Sequence, residues 1–551
     1  MKANFTVKGN IVDIEAQAVY KGQVAVKDGK IQAVTKGELV TDMEAGPYIM
    51  PGFIESHIHI EDTLIAPYEF SRLVVGYGTV AAVCDPHEIG NVMGIPGINY
   101  MIEQSKASPL KFFYGAPSCV PATSFETTGA VLGPKEIREL MKRPDIYFLG
   151  EFMRFPEVIA RNPMDMEKIQ AAKDAGKLID GHAPLITGSD LEKYVSAGIT
   201  TEHECTVLAE AREKVKAGLK IIIREGSAAH NMETLYPLID EEPLKVMLCT
   251  DDCHPDDLWY KGHMNHVIKT ALGFGCKFFN VLRAATFNAV NHYKLPVGLL
   301  RVGDPADFIV VDSLKALNVQ KTYINGDLVF DKPNTIFPPI KAPIVNNFGI
   351  DPITEGDVIV HAESDKIKVI GVIDKQLYTN KLISNVKLNG RKDVVSNPAE
   401  DILKIVVVNR YLKAKPTVGF IKGFGLKTGA IALSVSHDSH NITCVGVEDK
   451  DIVRALNLII KAKGGVSAVS EKKELLLPLP IAGLMSDESA EWIGKRYEEL
   501  QKLARELGCA LTSPFPTLSF MALTVIPELK ISDKGLFDVT LRKPVSIFND
   551  K

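Results

Sequence analysis

The stretch Met50–Thr63, "MPGFIESHIHIEDT", decides how the chain is read. It is apolar as far as Ile54 and then places His57 and His59 one residue apart. Successive side chains on a strand point to opposite faces, so His57 and His59 share a face, with Cα atoms about 7 Å apart. Both rings can then reach one cation at about 2.1 Å. Ile58 points the other way, into an apolar layer. The pair is weak on its own, and its position in the chain is what gives it meaning.

From about residue 50 to 297, short apolar runs alternate with amphipathic ones. Strands are expected at "YIMPGFIESHIH", "TVAAVCD", "LKFFYGAPS", "IYFLGEF", "KLIDGHA", "ITTEHE", "LKIIIREGS" and "LKVMLCTDD". Helical patterns such as "DMEKIQAAKDAG" and "LEKYVSAG" lie between them, each closed by glycine. Eight strands with helical crossovers predict an α/β fold built on a (β/α)8, TIM-like barrel. Residues 1–49 read as short strands, with a hairpin turn at Lys27–Lys30. The hairpin-like run 298–335 is expected to complete the same small β domain. A Pro-rich linker, "DKPNTIFPPIKAP", precedes a C-terminal α/β domain, 344–551, expected to cover the active site.

Chemistry in such barrels sits at the C-terminal strand ends. Here those ends carry His57 and His59, then Asp85 with His87 and Glu88, Glu151, His182, His203, Arg224 with Glu225, and Asp251 with Asp252. Buried charge is costly unless paired or metal-bound, so structural ends are not loaded this way. His57, His59 and Asp251 come from strands that are adjacent in a closed barrel, and together suit one ion. His182 and His203 suit a second, and the two oxygens of Glu151 suit a bridge. Imidazole and carboxylate without thiolate fit Mn, Fe or Zn. The plainer reading of Glu151 is a salt-bridged glutamate.

"MPGFIESHIH" resembles the strand-1 signature of the amidohydrolase superfamily, and "GLLRVGDPADFIVVD" its return strand. Finer motifs resemble the adenine deaminase branch: "CDPHEIGNV", "GEFM", "DGHAP", "TTEHE", "REGSAAHN", "LCTDDCHP" and "SVSHDSHN". The resemblance implies a binuclear centre, with Mn or Fe as the metal. Its ligands are His57, His59, Glu151, His182, His203 and Asp251, with Glu151 in place of a carboxylated lysine. It also implies hydrolysis of a C–N bond in a cyclic amidine, adenine giving hypoxanthine and ammonia for purine salvage. A metal-bridged hydroxide attacks C6, Asp251 serves as base and then acid, and Glu88 or His87 donates at N1, Glu88 only if neutral. Glu88 otherwise caps a helix, and His87 otherwise orients a ligand. Asp251 is preferred over Asp252, which points to the opposite side if the strand continues and is expected to cap a turn or orient a neighbour. Arg224 and Ser227 are candidates for the purine edge, with an Arg224–Glu225 pair as the alternative. His437 and Asp438, with His440, are candidates to close the mouth.

Two other functions compete. One is a cyclic-amide hydrolase of the same superfamily, in which a lysine stands where Glu151 does. The other is a non-catalytic assembly protein on this scaffold, a class that tends to lose the ligands kept here.

Composition limits the partners. The 551 residues exceed a single core, and a net charge of −5 argues against nucleic acid or an anionic membrane. No apolar run approaches a membrane span of about 20 residues. The eight scattered cysteines suggest reduced thiols and a cytoplasmic setting. The expected partners are a small purine base and further copies of the chain in a homo-oligomer. The thiolate-zinc deaminase pattern is excluded, because no Pro-Cys-x-x-Cys follows His361-Ala362-Glu363. "GFIKGFGLKTG" fails the Walker spacing and reads as a turn. His263 and His266 read as surface or satisfied core, and Cys249 and Cys253 as packing residues.

Overall fold

The computed structural model describes residues 4–41, 46–227 and 229–549. Eight parallel strands form the barrel, named here β1 (Phe53–Ile58), β2 (Thr79–Cys84), β3 (Lys111–Ala116), β4 (Ile146–Phe152), β5 (Leu178–Gly181), β6 (Thr201–Glu202), β7 (Lys220–Arg224) and β8 (Val246–Cys249). β1, β2 and β8 are buried along their whole length, which is why they read as continuous apolar runs rather than alternating ones. The ring closes at two seams. Thr200 N–H donates to Ile179 O (2.9 Å) between β5 and β6, and Asp251 N–H donates to His57 O (3.0 Å) between β8 and β1. The helices Pro163–Asp174 and Gly188–Ser196 are each followed by a glycine at positive φ, Gly176 (65°) and Gly198 (106°).

A second sheet joins the two flanks of the barrel segment. Its order is Asn334–Thr335, Asp327–Asp331, Val319–Ile324, Phe308–Val311, Tyr48–Pro51, Phe5–Asp13, Ala18–Lys27 and Lys30–Leu39. Tyr48–Pro51 pairs antiparallel with Phe308–Val311 and leads directly into β1, so the sheet fixes where the barrel begins. Lys27 pairs with Lys30 across Asp28 (φ 51°) and Gly29 (φ 81°), the two positive-φ positions a tight hairpin needs.

Beyond the linker lies another eight-stranded sheet, in the order Thr379–Asn385, Lys366–Val372, Thr417–Lys422, Ile402–Val408, Ile442–Gly446, Ala430–Leu433, Gly465–Val469 and Glu474–Pro478. The amphipathic helix Asp449–Ala462 buries Ile452, Leu456 and Ile459 against it. The helix Ala490–Glu506, capped by Ser489, faces the barrel: Gln501 Nε2 donates to Asp256 (2.6 Å), and Tyr260 OH donates to Glu498 (2.7 Å). The linker is pinned along its path, with Tyr68 OH donating to Pro338 O (2.8 Å) and Tyr100 OH to Pro343 O (2.9 Å). These contacts set the C-terminal sheet over the C-terminal rim of the barrel. Among the described residues, no helix is long and apolar enough to cross a membrane.

Candidate metal centre

All six proposed ligands meet at that rim. Donor atoms of His57, His59 and Glu151 lie within 4.8 Å of one another; so do those of His57, His203 and Asp251, and those of Glu151, His182 and His203. Glu151 belongs to two of these sets, one through each oxygen. Oε1 is 3.5 Å from His59 Nε2, and Oε2 is 2.8 Å from both His182 Nδ1 and His203 Nε2. Asp251 Oδ1 is 3.2 Å from Nε2 of both His57 and His59.

The donor set fits divalent cations. His57 Nε2 is fully buried and, among the described residues, has no aligned hydrogen-bond partner. Burial, and then the neighbouring His203, pull the His57 imidazole down. Burial also lowers His59, His182 and His203, but the carboxylates beside them outweigh it and raise all three, so a cation binding there displaces protons. Burial pushes the Glu151 carboxyl up, but His182 and His203 outweigh it and hold it well below the usual range. Asp251 behaves likewise: the His57 and His59 imidazoles and then Arg224 overcome its burial. The eight cysteines are all buried, and none belongs to the donor sets given above.

A layer of polar groups aims these ligands. His59 Nδ1 contacts Asp85 O (2.9 Å), and Glu151 N–H donates to Asp85 Oδ2 (3.0 Å), so the end of β2 orients ligands on β1 and β4. Glu55, two residues before His57, accepts from Thr250 N–H (3.0 Å), Thr250 Oγ1 (2.7 Å) and His57 N–H (3.1 Å), and lies 3.2 Å from His263 Nε2. It therefore ties β1 to β8 beneath the cluster. His263 is buried there, with Nδ1 2.8 Å from Thr79 Oγ1 and Nε2 lacking an aligned hydrogen-bond partner among the described residues. Glu55→Gln replaces an acceptor oxygen with a donor there. It is expected to lower stability by about 2 kcal/mol, read as a lower melting temperature, and to weaken metal retention.

Several expectations change. Asp252 does not point away. The chain leaves β8 at Cys249, and Asp251 takes a left-handed conformation (φ 58°), so strand alternation no longer applies. Asp252 joins His59 and Asp251 in one potential donor set, and Asp62 and His437 in another. Arg224 lines the cluster cavity with its terminal nitrogens on carboxylates, and it does not pair with Glu225. Nη1 bonds Glu204 and Asp251 Oδ2 (2.9 Å), and Nη2 donates to Glu204 (2.9 Å). Glu225 instead pairs with His230 (3.0 Å). Ser227 donates to Asp257 (2.7 Å) and accepts from His254 N–H (2.8 Å), and it lines a neighbouring cavity rather than that of the cluster.

Glu88 sits in the first turn of the helix His87–Met93 but does not cap it. Its carboxylate lies 2.8 Å from His437 Nδ1, contacts His440, and lies 3.2 Å from His87 Nε2. Burial raises its pKa, but His437, His440 and His87 together hold it well below the usual range. These imidazoles favour the carboxylate form of Glu88, which carries no proton to donate at N1. Asp438 differs: burial, and then the Glu88 charge, push its carboxyl up to about 6. Its Oδ2 has no hydrogen-bond partner among the described residues.

Two groups of contributors were not singled out by motif. Glu204 stands 3.6 Å from both His182 and His203 while holding Arg224. Phe520, Leu523, Ile526, Leu377 and Met153 form the apolar wall of the cavity. Phe520 stacks on His437 at 4.6 Å and 9°. Glu204 was visible within "TTEHE"; the apolar wall carries no motif.

The chain matches two family profiles: Amidohydrolase family over residues 48–329, and Adenine deaminase C-terminal domain over residues 376–543. The adenine deaminase of Methanosarcina mazei is 48% identical over 556 residues, covering 98% of this chain and 99% of that protein. The adenine deaminase of Salinibacter ruber is 47% identical, with 98% of each chain covered. The adenine deaminase of Borreliella burgdorferi is 47% identical, covering 97% of this chain and 98% of that one. The likeness runs through the barrel and through the domain that closes it, and on that basis the chain belongs to the amidohydrolase family and, within it, to the adenine deaminases.

Proposed function

We infer that the chain is a hydrolase that converts adenine to hypoxanthine and ammonia. One observation carries this reading: the likeness to adenine deaminases spans both the barrel and the C-terminal domain, so both walls of the reaction cavity are included. The chain uses divalent metal; we propose two ions, Mn or Fe, with Zn also compatible with a donor set of nitrogen and oxygen. His57, His59, Glu151, His182, His203 and Asp251 would hold them. Bound there, divalent ions supply Lewis acidity and make water acidic enough to act as a nucleophile at neutral pH.

The rest of the chemistry falls to side chains. Asp251 accepts the proton released as water adds to C6 and returns it to the exocyclic nitrogen as the C–N bond breaks. Arg224 fixes one oxygen of Asp251, leaving Oδ1 on the side of His57 and His59. Charge developing at N1 is met by His87. Burial pulls the His87 imidazole down, but Glu88 and Asp85 raise it well above the usual histidine value. Ionised Glu88 is thus the counter-charge and His87 the donor. Asp438 binds the purine edge through its unpaired oxygen. His437 and Phe520 close the cavity over the ring and exclude water.

The test is direct. Mn-replete protein incubated with adenine is expected to release hypoxanthine and ammonia in equal amounts. Chelation is expected to abolish turnover, and Mn or Fe to restore it. Opening of a cyclic amide with no action on adenine would sink the assignment.

A further inference from the structure

The cavity at the metal cluster has a volume of about 40 Å3. Small-molecule sites usually enclose about 300–1,000 Å3, so a purine reaches this one only if a wall moves. A second cavity of about 420 Å3 lies against it, and the two share Leu377 and Phe520 as lining residues. Asp374, Gln376 and Thr512 on its lining are exposed, whereas Phe520 is buried. The larger cavity therefore runs from solvent to the wall of the reaction cavity. It mixes aromatic faces, Phe274 and Phe520, with carboxylate and amide groups, Asp374 and Gln376. That chemistry suits a flat heterocycle bearing an exocyclic amine.

We propose that the larger cavity is the antechamber through which adenine reaches the cluster, and that Lys530 is the positioning residue holding the Leu377–Phe520 wall between them. The proposal rests on adenine deamination as the activity. Lys530 lies on the strand Leu529–Ser532 and is fully buried. Its Nζ donates to Leu377 O (2.8 Å) and to Phe520 O (3.0 Å). These are its only hydrogen-bond partners among the described residues, and no carboxylate there pairs with it. Burial alone brings its ammonium down to about 7. A buried amine is costly to keep, and here it ties together the backbones of the two residues that separate the cavities. Leu377 and Phe520 belong to different segments of the C-terminal domain, and one amine makes them a single wall.

The native cysteines are all buried, so a cysteine placed on the antechamber rim is the accessible thiol. Gln376→Cys is to be labelled with pyrene maleimide in the metal-replete full chain and compared with the same variant unlabelled. Labelling is expected to lower kcat/KM for adenine at least about tenfold with metal content unchanged, because it obstructs encounter rather than chemistry. The same label on Val131→Cys, at the rim of a separate cavity of about 440 Å3, is expected to change kcat/KM less than about twofold. Undiminished kcat/KM in labelled Gln376→Cys overturns the route. Failure of the wild-type protein to deaminate adenine overturns the activity instead, so the two failures are distinct. Lys530→Met removes both bonds to the wall. It is expected to raise KM about tenfold with kcat within about threefold, and an unchanged KM removes Lys530 from the proposal. If Lys530→Met does not fold, the labelling result decides.

Discussion

Asp251→Asn is expected to lower kcat for adenine about 1,000-fold, with the protein folded and Arg224 still held by Glu204. General acid–base groups contribute about 10²- to 10⁴-fold, and the expected loss sits at the logarithmic middle of that range; Asp251 also serves as an anionic donor to the cluster. The geometry fixes how the amide settles. Asp251 Oδ2 accepts from Arg224 Nη1 at 2.9 Å, and Oδ1 faces the Nε2 atoms of His57 and His59, each at 3.2 Å. An amide turns its oxygen to the guanidinium, because its NH2 group would otherwise face another donor. The NH2 group then points at the imidazoles, where it can neither bind a cation nor accept a proton. Asp252→Asn is the control, because the two aspartates are neighbours and both face the cavity. It leaves the Arg224–Asp251 pair intact, and its expected loss is about tenfold, through the Asp62 and His437 side of the cavity. The measurement is kcat at saturating adenine with metal content determined on each variant. Equal losses in both variants would reassign the proton shuttle.

The contrast between these two residues shows what the sequence makes legible. The barrel strands are readable because burial on both faces produces continuous apolar runs, and the polar residue ending each run lies on the active rim. His57 and His59 are readable as a pair because His59, one residue past β1, keeps an extended backbone (φ −99°, ψ 100°). At Asp251 and Asp252 the alternation fails, since a left-handed residue turns the chain and brings both carboxylates to one side. Periodicity describes extended backbone and says nothing about residues where that conformation is lost.

The partners of Glu88 were hidden for a different reason. His437 lies 349 positions away, on a domain whose docking is set by tertiary packing. The motif "SVSHDSHN" pointed to the mouth of the barrel but not to the carboxylate it meets. From the sequence Glu88 reads as a donor only if neutral, or as a helix cap, whereas the surrounding imidazoles outweigh its burial and hold its carboxyl well below the usual range. Arg224 shows the same limit. Its position at a strand end suggested substrate contact, yet the neighbouring Glu204 and Asp251 take up both terminal nitrogens. The apolar wall of Phe520, Leu523 and Ile526 had no signature, because an apolar residue over a cleft looks like any core residue until the domains meet.

Glu151→Gln is expected to reduce bound metal from the proposed two ions per chain to one or none, and to lower kcat/KM for adenine at least about 1,000-fold. That corresponds to several kcal/mol of lost transition-state charge stabilisation. Glu151 touches the two halves of the cluster through different oxygens: Oε1 faces His59, and Oε2 faces His182 and His203. A glutamine keeps one of those oxygens and turns an NH2 group toward the other half, so one half always meets a donor where it needs an acceptor. Loss of folding is the competing effect, because deleting one member of a buried charged group can cost 3–5 kcal/mol. Here the cost is relieved. Burial pulls His182 down, while Glu204 and then Glu151 raise it to about 9. With Glu151 neutral, His182 gives up its proton more readily, and the cluster sheds charge rather than stranding it. Two melting curves separate the effects. In chelator, Glu151→Gln is expected to melt within a few degrees of the wild-type protein. On adding Mn, the wild-type protein gains about 2.7 kcal/mol at a hundredfold excess over Kd, and the variant gains little. A variant that still binds two ions and shows the full Mn-dependent shift would remove Glu151 from the bridging role.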